Sequence, residues 1–470
     1  MKTMKRILAG TLALTMSVAM ASCGSSSSET SSEDTGKDLT DSQKEQVADL
    51  ADQLPDIELE NTTIKWMAHY DINPSEGNVK SPALELFEEK YDGVIEYVQT
   101  TWDTRYDDLA TAVMSNDSPD FFPASDMDGF PKGAIKGMFE PIDDVIDLES
   151  DLWSSTQEAS DQFIFNGDHY IAVIDVSPNY VCVYNTTTIA DNGLDDPAEL
   201  FANDEWDWDV FQDMCIAFTD AENDMYGLDG YWYVKALSET SGVPMIGLED
   251  GYLVNNMDDP SIEKAQNFMY ELQKNGVCFD RSSNNWSTRG DGTTGYGLGT
   301  YQTLFIPVGL WAIETADTEV FGDIDAGEIM FVPMPRDPDS DTYYISSRVE
   351  GYFLCKNAPN PDGFAAYMNC LMVCKDNTAN ITEESLIEYG WNQDMLDMRT
   401  QIYQMAAENP VFDLQSGVNS EMDTIMTTVS QGTMITGGGA TTWTQVVSEY
   451  KGTVDYLIEE INEDIKNGTD

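Results

Sequence analysis

The segments TTIKWMA (62–68), PALELFEEKY (82–91), GVIEYVQT (93–100), RYDDLATAVM (105–114) and SPDFFP (118–123) follow one another with short connections and decide the fold. The first alternates apolar and polar residues, as a strand entering a core does. The second places Leu84, Phe87 and Glu88 at helical spacing. A second strand ends at Thr100, a helix covers Arg105 to Met114, and Phe121 and Phe122 close a short apolar strand before Pro123. Strand, helix, strand, helix, strand predicts a mostly parallel sheet covered on both faces, with ligands bound at the carboxyl ends of its strands.

Working outward, Gln46 to Leu54 has the pattern of an amphipathic helix. HYIAVIDVSPNYVCVYNTTTI (169–189) holds two extended runs broken at Ser177 and Pro178. Helices are predicted at Asp207 to Phe218 and Ser261 to Asn275, and a strand in EIMFVPMPRD (328–337). Gly351 to Cys355 reads as a strand, followed by a turn at Pro359 to Pro361 and a long helix. The C-terminal third is mainly helical, with separate patterns at 445–451 and 454–466.

At 470 residues the chain is long enough for two or three domains. It carries 23 Lys and Arg against 85 Asp and Glu, a net charge of −62, which excludes nucleic-acid binding through a basic groove. With hydrophobics at 41% and aromatics at 11%, it is not a disordered acidic chain. Residues 1–22 combine Lys2, Lys5 and Arg6 with an apolar run and small residues up to Cys23, the pattern of a secretion signal. Gly24 to Gln43 is polar and free of aromatics, as a tether would be. Six further cysteines are too sparse for a disulfide-built fold; Cys370 and Cys374, four apart on a helix, are buried thiols or else a bridge or metal pair.

Several of these segments occur in a familiar order. The start around VAMASCG resembles a bacterial lipoprotein signal, which implies acylation of Cys23 and a lipid anchor on the outer face of the cell membrane. TIKWMAH, SPDFFPASD, IAVIDVSPNYVCVYN, EWDWDVFQDM, YGLDGYW, IPVGLWAIE and MFVPMPRD together resemble the extracellular solute-binding proteins of the sugar-binding type, the family that includes the maltose-binding protein. The resemblance covers about residues 61–460. It implies an α/β, two-lobed periplasmic-binding-protein-like fold of type II, with crossing strands between the lobes and a ligand cleft. The implied division is 1–22 signal peptide, 23–60 acylated cysteine, tether and start of the first helix, 61–175 with 313–345 lobe one, and 176–312 with 346–460 lobe two. The implied activity is capture of a carbohydrate, an oligosaccharide, by a monomer without cofactor, and its delivery to ABC permease subunits. The chain departs from the pattern at 280–300, a glycine-rich polar insert, and at DPAELFANDEWDWD; both bear on the ligand rather than the fold.

Sugar capture also makes chemical demands that can be read from residues alone. A pyranose presents apolar C–H faces and a rim of hydroxyls, so its site needs aromatic plates and polar forks. Candidate plates are Trp66, Tyr70, Trp102, Trp232, Trp286, Trp311 and Trp443, each of which has core packing as its alternative role. Trp66 and Trp102 stand near strand ends beside His69, Asp71, Asp103 and Arg105, and His69 joins the candidate site. Trp311, after Gly309 in PVGLWAIE, is the leading single residue; Trp443 follows the glycine run 437–439. Asp126 is either a hydroxyl acceptor or a helix cap.

Enzymatic readings have less to stand on. The two histidines, His69 and His169, are 100 residues apart, and no HExxH, GxSxG or P-loop pattern occurs. With 85 acids, carboxylate pairs carry no information. FTDAENDMYG (218–227) resembles a calcium loop, but Met225 sits where the turn glycine belongs. The rivals to sugar capture are a glycan-active surface enzyme, an adhesion protein, or a binding protein for a cationic solute such as a polyamine.

Overall fold

The computed structural model describes residues 37–74, 79–249, 251–279, 297–314, 320–434 and 441–467. The secretion signal, Cys23, Trp286 and the glycine run 437–439 lie outside the described residues.

Helix α1 (Asp41–Ala48) opens with a reciprocal cap, Thr40 Oγ1 accepting from the Gln43 N–H while the Gln43 side chain accepts from the Thr40 N–H. A 3-10 turn at Ala51–Gln53 follows, so the pattern at 46–54 is a helix end and a turn. Val47, Leu50 and Leu54 are buried in the same cluster as Leu84 and Phe87. The Gln46 amide donates to the Asn377 carbonyl and to Asn380. Residues 37–54 are thus part of the first lobe rather than of a tether, because their apolar side chains are needed to cover it.

Strand β1 (Thr63–Ala68) pairs in parallel with β2 (Val94–Gln99) along its length and with β3 (Phe121–Pro123) at Trp66. The connecting helices are α2 (Pro82–Tyr91), capped by Ser81 with Pro82 in its first turn, and α3 (Arg105–Ser115). Period-two alternation sends Ile64, Trp66 and Ala68 to one face, packed with Phe87 and Phe364. Met67 goes to the other, with Leu109 and Phe122.

Beyond β3 the sheet is mixed rather than mostly parallel. The strand Ile345–Cys355 runs antiparallel both to β3 and to Ile171–Pro178. The reason is topological: one of these two strands carries the chain out of the lobe and the other brings it back. A second, four-stranded sheet has the order Ile329–Val332, Val181–Asn185, Thr303–Val308, Tyr226–Leu228. Here too the expected division is corrected. Residues 329–332 pair with Val181–Asn185 in the second sheet, and 345–355 lie in the first. The helix Pro361–Asn377 buries Phe364, Tyr367 and Cys370 against the first lobe as well. The break between sheets falls at Asn179 and Tyr180, after Pro178 instead of at Ser177. The two C-terminal patterns form one helix, Trp443–Asn467.

Replacing Leu50, which is 7% exposed, by Ala should lower the unfolding free energy by about 2 kcal/mol in urea titration. A chain begun at Asn61 should unfold at lower urea than one begun at Lys37; equal midpoints would return residues 37–54 to the tether.

Candidate functional site

The carboxyl ends of the first-lobe strands converge on one group of side chains. Trp66, the nearest candidate in the chain, is not among those open to solvent. It is fully buried, 4.8 Å from the Phe121 ring and 5.6 Å from Tyr352. Its indole N–H donates to the Tyr70 carbonyl at 3.0 Å. It shapes the loop and offers no face to a ligand, because its position in β1 has the parity of the core. Tyr70 itself is 38% exposed and Trp102, just past β2, is 51% exposed. His69 meets Trp102 edge-on at 5.0 Å and 90°.

Arg105 begins α3 and organises this edge. Its guanidinium carbon lies 3.6 Å from the Trp102 ring centroid, and it donates to the Trp102 carbonyl and to Asp128. Asp126 is 3.9 Å away from Arg105 Nε. The first helix after it starts at Lys132 with Pro131 in the cap position, so Asp126 caps no helix. Burial, with the Asp128 charge adding to it, raises the Asp126 carboxyl to about 6, while Arg105 and Arg348 oppose the shift. Burial also lowers the His69 imidazole, and Arg105 lowers it further. His69 Nδ1 and Arg105 Nε are buried with no hydrogen-bond partner, an arrangement that leaves two polar groups to be satisfied.

The crossing strands form the floor. Ser177 stands opposite Arg348, and Asp175 opposite Glu350. Ser177 Oγ donates to Glu350 at 2.6 Å, and Arg348 Nε does so at 3.0 Å. Burial would raise the Glu350 carboxyl, but Arg348 and Ser177 outweigh it and hold it low. The charges of Arg348 and Glu350 both act on Asp126, in opposite directions.

The second lobe adds its own aromatic set. Tyr180 stacks with Trp232 at 6.2 Å and 28°, and Trp232 meets Trp311 edge-on at 5.8 Å and 87°. Trp311 is 38% exposed. A Cβ on Gly309 would stand 2.2 Å from Trp311 Nε1, so only glycine lets the indole fold back over the turn. Arg399 bonds Glu314 at 2.6 Å and lies 4.3 Å over the Tyr403 ring. Tyr403 in turn feels Glu350 and Arg348. Trp443 is not part of this set: it is 2% exposed and its indole donates to the Met257 carbonyl. It opens an amphipathic helix whose apolar stripe, including Val446 and Val454, fills the core.

Of the eight described residues singled out by sequence, His69, Tyr70, Trp102 and Asp126 thus gather in the first lobe and Trp232 and Trp311 in the second, while Trp66 and Trp443 are core. Arg348, Glu350, Arg399 and Tyr403 were missed. The available signal was the alternation of Arg348, Val349 and Glu350 just before the apolar run that ends at Cys355, and the four-residue spacing of Arg399 and Tyr403 on one helix.

Other candidates do different work. His169 is held between Asp143 (2.7 Å) and Asp161 (3.3 Å) at a separate cavity of about 420 Å³ on the first lobe. In the calcium-like loop, Asp220 accepts from the N–H groups of Glu222 and Asn223 and so is spent on its own turn. Among the described residues no group of three or more His, Cys, Asp and Glu could hold a metal ion, and no helix is long and apolar enough to cross a membrane. Cys182, Cys215, Cys278, Cys355, Cys370 and Cys374 are buried free thiols.

This architecture has close parallels among solved structures. An ABC substrate-binding protein of Listeria monocytogenes in complex with cycloalternan is 16% identical, with a TM-score of 0.58 over 86% of this chain and 100% of that one. An extracellular solute-binding protein of Staphylococcus aureus in complex with maltose is 12% identical, with a TM-score of 0.59 over 86% and 99%. A cyclic alpha-maltosyl-1,6-maltose binding protein of Arthrobacter globiformis is 14% identical, with a TM-score of 0.58 over 86% and 99%. At these identities the likeness is one of fold, a two-lobed α/β binding-protein fold. A comparison with curated proteins by sequence finds no match. Residues 83–410, well over half of the chain, match the bacterial extracellular solute-binding protein family. The chain is therefore a member of that family, a binding protein and not an enzyme.

Proposed function

We propose that this protein captures an oligosaccharide between its lobes and passes it to the permease subunits of an ABC importer. The observation that carries the reading is that each lobe exposes aromatic rings, Tyr70 and Trp102 on the first and Trp311 on the second, while the crossing strands carry a hydrogen-bonded Arg348 and Glu350. Flat rings suit the C–H faces of sugar rings, while the carboxylates and guanidinium groups suit the hydroxyl rim. The saccharides held by structural relatives from Listeria, Staphylococcus and Arthrobacter support the same ligand class.

Capture works by closure. A ligand that touches both lobes stabilises the closed arrangement by its differential affinity for it, and the crossing strands supply the hinge. No bond is made or broken. The lipoprotein-like start supports an acyl anchor at Cys23, which would keep a monomeric binding protein near its importer at the outer face of the membrane.

Trp311→Ala should weaken binding of the preferred saccharide by about 2 kcal/mol or more in calorimetric titration, with no change in the urea midpoint. Unchanged affinity would remove Trp311 from the site.

Asp126 should separate stability from binding. Its folded-state pKa of about 6 lies above that of an unfolded aspartate. Its contribution to stability is therefore complete below about pH 4 and is lost as pH rises through about 6. Asp126→Asn should match or exceed the wild type in stability at pH 7, by up to about 3 kcal/mol, yet bind saccharide at least tenfold more weakly. Loss of stability together with binding would make Asp126 a structural residue.

A further inference from the structure

We infer that Arg105 sets the selectivity of the first-lobe subsite: by backing Trp102 it leaves the open indole face to an uncharged sugar ring and turns away a cation. The inference rests on the carbohydrate reading above.

The geometry around Arg105 has two parts. First, the guanidinium covers one face of the ring, 3.6 Å from its centroid, while Trp102 remains 51% exposed. The indole is therefore a plate with one face occupied and the rest open to solvent. Second, Arg105 cannot readily leave. It is 5% exposed, donates to Asp128 and to the Trp102 carbonyl, and lies 5.0 Å from the Tyr106 ring centroid. Tyr106 donates to Asp128 in turn, and His69 abuts the Trp102 edge at 5.0 Å. Arg105 is a positioning residue that fixes both the place and the electronic character of the plate.

That character discriminates between ligand chemistries. A cation is drawn to an aromatic face by the ring quadrupole. When the opposite face already carries a guanidinium, the quadrupole is shared, so a second cation gains less from the ring even though Asp128 offsets the direct repulsion between the two charges. The C–H face of a sugar stacks mainly through dispersion and apolar burial, and is little affected. Such local discrimination matters in a protein of net charge −62, whose overall field concentrates cations of every kind. The device is a repulsive element built against the wrong ligand.

The test uses the full chain, its Arg105→Gln and Arg105→Lys variants, a panel of linear and cyclic gluco-oligosaccharides, and spermidine, all by isothermal calorimetry at two salt concentrations. Near-ultraviolet circular dichroism monitors the Trp102 environment. Wild type should bind one saccharide class saturably and spermidine only weakly, in a manner abolished by salt. Arg105→Gln should lose tenfold or more for the saccharide, gain fivefold or more for spermidine, and change the aromatic dichroism. Arg105→Lys keeps the charge without the planar fork; it should lose saccharide affinity without gaining spermidine affinity. Saccharide binding that is unchanged in both variants would overturn this inference and leave the carbohydrate reading standing. Wild type that binds no saccharide would overturn the carbohydrate reading and this inference with it.

Discussion

The antiparallel pairing of Ile171–Pro178 with Ile345–Cys355 is the constraint on which the rest depends. These two strands belong to the first sheet, and the chain leaves one of them for the second sheet, and returns from it to the other, at the point where the ladder ends. Asn179 marks that point: its N–H donates to the Ser346 carbonyl at 2.7 Å, and its side-chain amide to the Ser347 carbonyl at 2.8 Å. One residue thus ties the outgoing strand to the returning one where regular pairing stops. A third passage follows the helix Pro361–Asn377, and ends where the Trp391 indole donates to the Ile313 carbonyl in the second lobe. The crossing ladder also carries Ser177, Arg348 and Glu350.

A chain so acidic still sets cations near the candidate site. It does so by matching them: Arg105 with Asp128, Arg348 with Glu350, Arg399 with Glu314. Paired charges limit the desolvation cost of burying these groups and fix the direction of each donor. A related group lies deeper. Glu239 and Asp413 are both buried, and burial raises both carboxyls against the pull of Lys235. Glu239 also accepts from Ser346 Oγ on the returning strand. The surplus acids, in contrast, are spread over the solvated surface, where they keep the protein soluble.

Much of the first lobe was legible because each segment declares its own period. The alternation in Thr63–Ala68 and the helical spacing in Pro82–Tyr91 need no partner to be read. The allotment of later segments was not legible. Ile329–Val332 and Gly351–Cys355 look alike as apolar strands, and which sheet each joins depends on long-range pairing that no local pattern carries. The site shows the same division. Trp102 lies just past the end of β2, and Trp311 in the single 3-10 turn Leu310–Ala312 that follows Thr303–Val308, where side chains reach solvent. Trp66 shares its parity with Ile64 and Ala68, so its burial was already implied by the alternation. Arg348 and Glu350 were overlooked because the strand was read only from Gly351, which left its more polar first half, from Ile345, outside any element.

The most direct measurement is the distance between the lobes with and without saccharide. All six described cysteines are buried, so spin labels can be placed selectively at Val94→Cys in the first lobe and Ile216→Cys in the second, both exposed positions. Double electron–electron resonance should show one longer distance population in the free protein and a shorter one at saturating saccharide. Saturable saccharide binding that left the distance distribution unchanged would contradict capture by closure about the crossing strands.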